Sequence, residues 1–245
     1  STGAGFLLDV AGSLKTSQNT TYNNLTVSGT LEQTAGDQTV FNRAASFKAG
    51  SAFKTASNYV KIQAGTVDAA YTTLSIGAAN KSFVVGSENA KIDIQRGTIL
   101  LGKAQAIRDA NGGLVSISTR NDTTKAELRL NASNDFATIT ALKNNLDIFI
   151  ADGSILKADF AASDGGLIVL HDFVDNSVFV KNYESIADIA SIFEIYKTID
   201  GVEVKIDTFY CNNGWLSTTA VPEPAEWAAI FGAIALAAAV CRRRK

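Results

Sequence analysis

Methionine is absent from the 245 residues, histidine occurs once, and proline and cysteine occur twice each. Each scarcity excludes something. Two cysteines, Cys211 and Cys241, cannot build a disulfide framework, and neither has a second ligand nearby at metal-binding spacing. A single His171 leaves catalytic dyads and histidine metal sites without a further partner in sequence reach. Charge of one sign is lacking too: 22 basic residues face 24 acidic ones, for a net charge of -2. Without the terminal basic run no concentrated cationic face is visible, so nucleic acid is not an expected partner. No glycine-rich stretch has phosphate-loop form, because Gly112-Gly113 and Gly165-Gly166 lack the following Lys-Ser/Thr. No cofactor and no metal is expected.

Both prolines fall at Pro222 and Pro224, which leaves residues 1–221 with none. Continuous β-ladders select against proline, since each one removes a backbone donor. What fills this span agrees. Apolar residues recur at every second position in Leu25-Thr26-Val27, Tyr59-Val60-Lys61-Ile62, Lys91-Ile92-Asp93-Ile94, Glu127-Leu128-Arg129-Leu130 and Leu146-Asp147-Ile148-Phe149-Ile150. That period belongs to strands with one buried face. Between them lie turn formers such as Ala35-Gly36-Asp37, Ala110-Asn111-Gly112-Gly113 and Ala151-Asp152-Gly153-Ser154.

Many short strands with one apolar face predict an all-β parallel solenoid, resembling a β-helix, in which each rung buries its face on the next. An antiparallel sandwich shows the same alternation and is the alternative. Residues 1–163 read as solenoid rungs. They are expected to continue from an upstream part, because the chain opens without Met and residues 6–10 already read as strand. Residues 164–218 read as a mixed, atypical C-terminal cap. There Ile186, Ile189, Ala190 and Phe193 stand at helical spacing behind Ser185 as a plausible cap, and residues 202–209 return to strict alternation.

Residues 219–226 form a linker, since Pro222-Glu223-Pro224 interrupts both helix and sheet. Residues 227–241 then carry no charge; they run from Trp227 through Ile230, Phe231, Ile234, Leu236 and Val240 to Cys241. Arg242, Arg243, Arg244 and Lys245 end the chain. An aromatic at one edge and cations at the other predict a single short transmembrane helix with a basic stop. Such a helix spans about 22 Å against a hydrocarbon core of about 30 Å.

The order Pro222-Glu223-Pro224, alanine-rich apolar segment and arginine cluster resembles the PEP-CTERM sorting signal of bacterial exported proteins. The resemblance covers about a tenth of the chain. It implies that Pro222, Glu223 and Pro224 are a recognition motif, residues 227–241 a membrane segment and residues 242–245 the basic stop. It further implies an exosortase-like membrane protease as partner. The chain would be anchored transiently in the inner membrane before processing, then delivered to the surface or extracellular matrix of a Gram-negative-type bacterium.

The function expected is a non-catalytic exported surface or matrix protein, with an adhesion or scaffold role in a polysaccharide-rich envelope and extracellular polysaccharide as a further partner. The alternative is a polysaccharide-binding or polysaccharide-degrading β-helix protein whose active portion lies upstream. Carboxylates for lyase or glycosidase chemistry are scattered: Asp152, Asp159 and Asp164 with Lys157, then Asp172 and Asp175 around His171. Turn chemistry accounts for several of them, and no catalytic residue is assigned.

Overall fold

Alternating side chains need a surface to close against, and here the chain closes on itself as a coil. The structure, a computed structural model, describes residues 7–63, 72–120, 125–220 and 234. Sheet A stacks ten strands: β1 (Leu8–Val10), β4 (Leu25–Val27), β7 (Ala45–Phe47), β10 (Thr72–Ile76), β13 (Arg96–Leu101), β15 (Lys125–Leu130), β17 (Leu146–Ile150), β19 (Ile168–His171), β21 (Phe193–Ile199) and β22 (Val202–Ile206). Sheet B has four: β2 (Ser13–Thr16), β5 (Thr30–Gln33), β8 (Ala52–Thr55) and β11 (Ser82–Val85). Sheet C again has ten: β3 (Thr20–Tyr22), β6 (Thr39–Phe41), β9 (Tyr59–Ile62), β12 (Lys91–Ile94), β14 (Ser116–Thr119), β16 (Asn134–Leu142), β18 (Leu156–Ser163), β20 (Val178–Val180), β24 (Trp215–Ser217) and β23 (Tyr210–Asn212).

Neighbouring strands pair in parallel until the last turns, so each rung lies in register on the one before. Inward side chains therefore form columns. On sheet A one column runs Val10, Val27, Phe47, Ile76, Leu101, Leu130 and Ile150, all buried. Ladder register is constant while turn length is not. Asp9 stacks on Thr26 seventeen residues later, whereas Thr98 stacks on Glu127 twenty-nine residues later. The corners absorb the difference. At the start of β13, one residue past its first position, Gly97 has φ +146°, and a Cβ there would come within 2.2 Å of the Thr72 carbonyl oxygen.

Two antiparallel devices end the coil. β21 folds back on β22 through Asp200 and Gly201, both at positive φ as a two-residue hairpin turn demands. β24 pairs antiparallel with β20 and with β23. Reversing strand direction at the end of a parallel stack stops its propagation.

Two expectations need correction. The helix expected around Ile186 to Phe193 is two single 3-10 turns, Tyr183–Ser185 and Ile189–Ser191, followed by strand β21. Phe193 and Ile195 pair with Ile168 and Leu170, and this parallel ladder outweighs the local helical spacing. The architecture is all-β with parallel sheets, and the single short transmembrane helix does not belong to it. Among the described residues no helix is long and apolar enough to cross a membrane. The expected span, 227–241, is represented by Ile234 alone, and its fifteen residues would reach only about 22 Å. Membrane anchoring, transient inner-membrane residence and an exosortase-like partner, all drawn from that helix, fall with it. Pro222, Glu223, Pro224, Trp227, Ile230, Phe231, Leu236, Val240, Cys241 and residues 242–245 lie outside the described residues.

Candidate functional site

Polar chemistry on a coil of this kind lies on the outward positions, where residues from successive turns become neighbours. Three clusters stand out. The first is on the outer face of sheet A near its C-terminal end. Register places Arg129, Phe149 and His171 in one column, and Tyr196 follows. The Arg129 guanidinium lies 3.8 Å over the Phe149 ring, Phe149 stacks on His171 at 4.4 Å, and His171 on Tyr196 at 5.6 Å. The His171 ring is also bridged sideways: Nδ1 lies 2.6 Å from Glu203 Oε1 and Nε2 lies 3.2 Å from Asp147 Oδ1. Burial disfavours the charged imidazole, but the hydrogen bonds and charges of Glu203 and Asp147 outweigh it, so its pKa lies above the ordinary value. An imidazole whose two nitrogens are both engaged by carboxylates has no nitrogen left open to serve as a general base or a metal ligand. One column away, Glu127 is 7% exposed and gripped by Lys125 at 2.7 Å and Arg129 at 2.9 Å.

The second cluster is on the outer face of sheet C. Asp93, 4% exposed, accepts from Tyr59 Oη at 2.8 Å and from Ser118 Oγ, with Lys91 Nζ at 3.1 Å and Arg120 at 3.5 Å. Burial and the adjacent Asp93 carboxylate push the Tyr59 phenol up to about 12. A shallow groove of about 280 Å³ lies alongside, floored by Lys91, Ser116, Ser118, Thr138 and Thr140. Two of its polar groups, Lys91 and Ser118, are held by Asp93.

The third cluster fastens the C-terminal turns. Asp175 accepts from Lys197 Nζ at 2.8 Å, from the Thr218 amide at 3.1 Å and hydroxyl at 2.9 Å, and from Ser217 Oγ at 3.3 Å. Burial would raise this carboxyl, yet the Lys197 ammonium and Thr218 donors bring it down to about 2. A carboxylate so saturated is a poor proton acceptor. An open cleft of about 440 Å³ beside it is lined by Asp172, Phe173, Val174, Asp175, Lys197 and Thr198.

Of the scattered acids named from sequence, the fold brings none into a shared cleft with a free partner, except that Asp172 and Asp175 border the same opening. Asp172 bonds the Thr198 hydroxyl at 2.5 Å rather than His171. Asp152 and Asp164 are exposed at turns. Lys157 lies 5.8 Å from the Phe179 ring and 5.7 Å from that of Trp215. Among the described residues no group of three or more His, Cys, Asp or Glu could hold a metal ion. Cys211 is free, and burial pushes its thiol up, away from reactivity.

Extracellular polysaccharide as a partner is also corrected. A sugar groove needs several exposed ring faces side by side, whereas in the outer clusters Phe149 and His171 cover one another's faces and Phe179 and Trp215 meet edge to face. Residues that sequence reasoning missed, Asp147, Glu203, Asp93 and Lys197, join partners 22 to 34 residues away. Only the rung length, which varies, could have revealed them. No family model, no curated protein and no solved structure matches this chain.

Proposed function

We propose that the chain is a non-catalytic scaffold or adhesion protein whose work is done by the surface and stiffness of its coil. The observation that carries this reading is the double ladder itself. Two ten-stranded sheets share one continuous core. At the usual strand separation a ten-strand stack is about 43 Å long. Several of its outward charges are tied to neighbours in the same chain, as Lys15 is to Glu32 at 2.8 Å and Lys197 to Asp175 at 2.8 Å. Such groups hold a surface in one shape and are not set free for proton transfer or substrate attack.

The experiment has two arms. The purified protein is incubated with neutral and acidic polysaccharides, with and without calcium, and with a broad set of ester and phosphoester substrates; no turnover above the protein-free blank is expected. In parallel the gene is deleted in its host, and weakened surface attachment or weakened cohesion between cells is expected. Turnover abolished by substitution of any outward side chain overturns the non-catalytic part. Attachment and cohesion both unchanged after deletion overturn the scaffold part.

A further inference from the structure

The hairpin at the end of sheet A carries an unusual strand. β22 is the last of ten, with β21 on one side and no strand on the other among the described residues. Four of its five residues are exposed, and Val202 and Val204 are exposed large apolar residues at 62% and 41%, as is the neighbouring Ile199 at 51%. Val202, Val204 and Ile206 share one face with their β21 partners Ile199, Lys197 and Ile195, while Glu203 and Lys205 occupy the other. An open edge is normally blunted by proline, a bulge or charged side chains; β22 has no proline and no bulge, and its only charges are the opposite pair Glu203 and Lys205.

Reversed on itself, Val202-Glu203-Val204-Lys205-Ile206 matches. A two-fold axis through Val204 sets Glu203 opposite Lys205 of a second copy, and Lys205 opposite that copy's Glu203. On the other face it sets Val202 opposite Ile206 and Val204 opposite itself. Backbone geometry agrees with this register. The residues flanking a two-residue turn, Ile199 and Val202, exchange both hydrogen bonds, so alternation commits Val202, Val204 and Ile206 to β21. It turns the N–H and C=O groups of Glu203 and Lys205 to the open edge. These two residues are the ones a two-fold pairing would join through four backbone hydrogen bonds.

We propose that β22 is a homodimer interface: two copies pair antiparallel along this edge about Val204, joining two ten-stranded sheets into one of twenty. The interface is isologous, so it closes after two copies and does not run on into a fibre. Glu203 and Lys205 already contact His171 and Glu194 within the chain. Their remaining oxygen and protons extend those pairs across the axis. This goes beyond the scaffold role and does not depend on it.

Sedimentation equilibrium on the full chain tests the charge pairing. Glu203→Lys faces like charges across the axis twice and should weaken dimerisation at least about tenfold. The double change Glu203→Lys/Lys205→Glu restores both cross-axis pairs, although it disrupts the contacts to His171 and Glu194, and should recover most of that loss. Register is tested separately by mild oxidation. Val204→Cys should give a 204–204 disulfide between chains, identified by peptide mass to distinguish it from links through Cys211 or Cys241. Val202→Cys should not link to its own copy, because that pair would be about 13 Å apart, beyond disulfide reach. A monomer at all concentrations, an association indifferent to Glu203→Lys, or equal cross-linking at 202 and 204 overturns the proposal.

Discussion

From Leu8 to Val85 the coil has three strands per turn and a core crowded with rings; beyond Lys91 sheet B shrinks to a single bridge between Val84 and Arg108, and most of the core is aliphatic. In the first section Phe41, Phe47, Phe53 and Phe83 meet at the centre, with Phe53 and Phe83 only 4.5 Å apart between ring centroids. Three sheets enclose a wide triangular space, and rings fill it where leucine would leave voids. In the second section Leu128, Leu130, Ile148, Ile150, Ile92 and Ile117 face one another across two sheets. The outer faces differ as well. Thr26, Ser46 and Ser75 make a column of small hydroxyls on the early part of sheet A, which the later part replaces with Arg129, Phe149 and His171. Long side chains with long-range partners concentrate where the stack must be ended. The difference teaches that early rungs are held chiefly by their ring-filled interior, with outer ties such as Lys15 to Glu32, and late rungs by an aliphatic interior together with larger outer clusters.

The largest expected effect tests the ring-filled section. Phe53→Ala removes a side chain that touches Phe41, Phe47 and Phe83, and should cost about 3–5 kcal/mol in denaturant unfolding. Rungs contact only their neighbours, so hydrogen exchange should accelerate mainly between residues 8 and 85. Equal acceleration after residue 125 would break the division into two sections.

Gly97→Ala probes the junction between the sections. The new methyl meets the Thr72 carbonyl at a positive φ, so a loss of about 1–3 kcal/mol is expected. An unchanged melting temperature would show that the start of β13 relaxes freely.

Asp175→Asn should loosen the last turn by about 1–2 kcal/mol, seen as faster exchange at residues 215–219 with the Phe cluster unaffected. Its linkage to pH follows from a folded pKa of about 2 against 3.8. The stabilisation is present above 3.8 and is lost as pH falls toward 2, so the wild-type end should open in acid before the core does.

The smallest effect has the opposite sign. His171 has a folded pKa raised above 6.5, so its contribution is complete below that value and is lost as pH rises through the folded pKa. Exchange in the β21–β22 hairpin should quicken mildly over that rise, and His171→Gln should flatten the dependence. A hairpin indifferent to pH in the wild type would show that Glu203 and Asp147 hold it without the charge.

Strands were the legible part of the sequence. Val60 with Ile62, Ile92 with Ile94 and Leu146 with Ile148 and Ile150 alternate because one face is buried, and no tertiary knowledge is needed to see it. The coil's polar clusters were not legible. Tyr59 reaches Asp93 across 34 residues and Lys197 reaches Asp175 across 22, distances set by corner lengths that follow no fixed period. The stretch from Ile186 to Phe193 misled for a different reason. Asp188 caps a single 3-10 turn by accepting from the Ala190 amide, and the chain then rejoins sheet A. Its apolar spacing reports two separate contacts with the core rather than one helical stripe. The Pro222-Glu223-Pro224 tail is legible as a pattern only, since its residues lie outside those the structure describes.

Turns of unequal length on a ladder of constant register divide the chain into two kinds of position with respect to growth. A residue added at an exposed turn such as Ala151-Asp152-Gly153, between β17 and β18, costs little, because the next strand still meets its partner in phase. One residue added between Leu128 and Leu130 shifts the phase by half a period and turns the following apolar residue to solvent. The coil therefore behaves as text with a frame confined to its strands. It can be lengthened by whole turns, copied from within, while the antiparallel ends remain untouched.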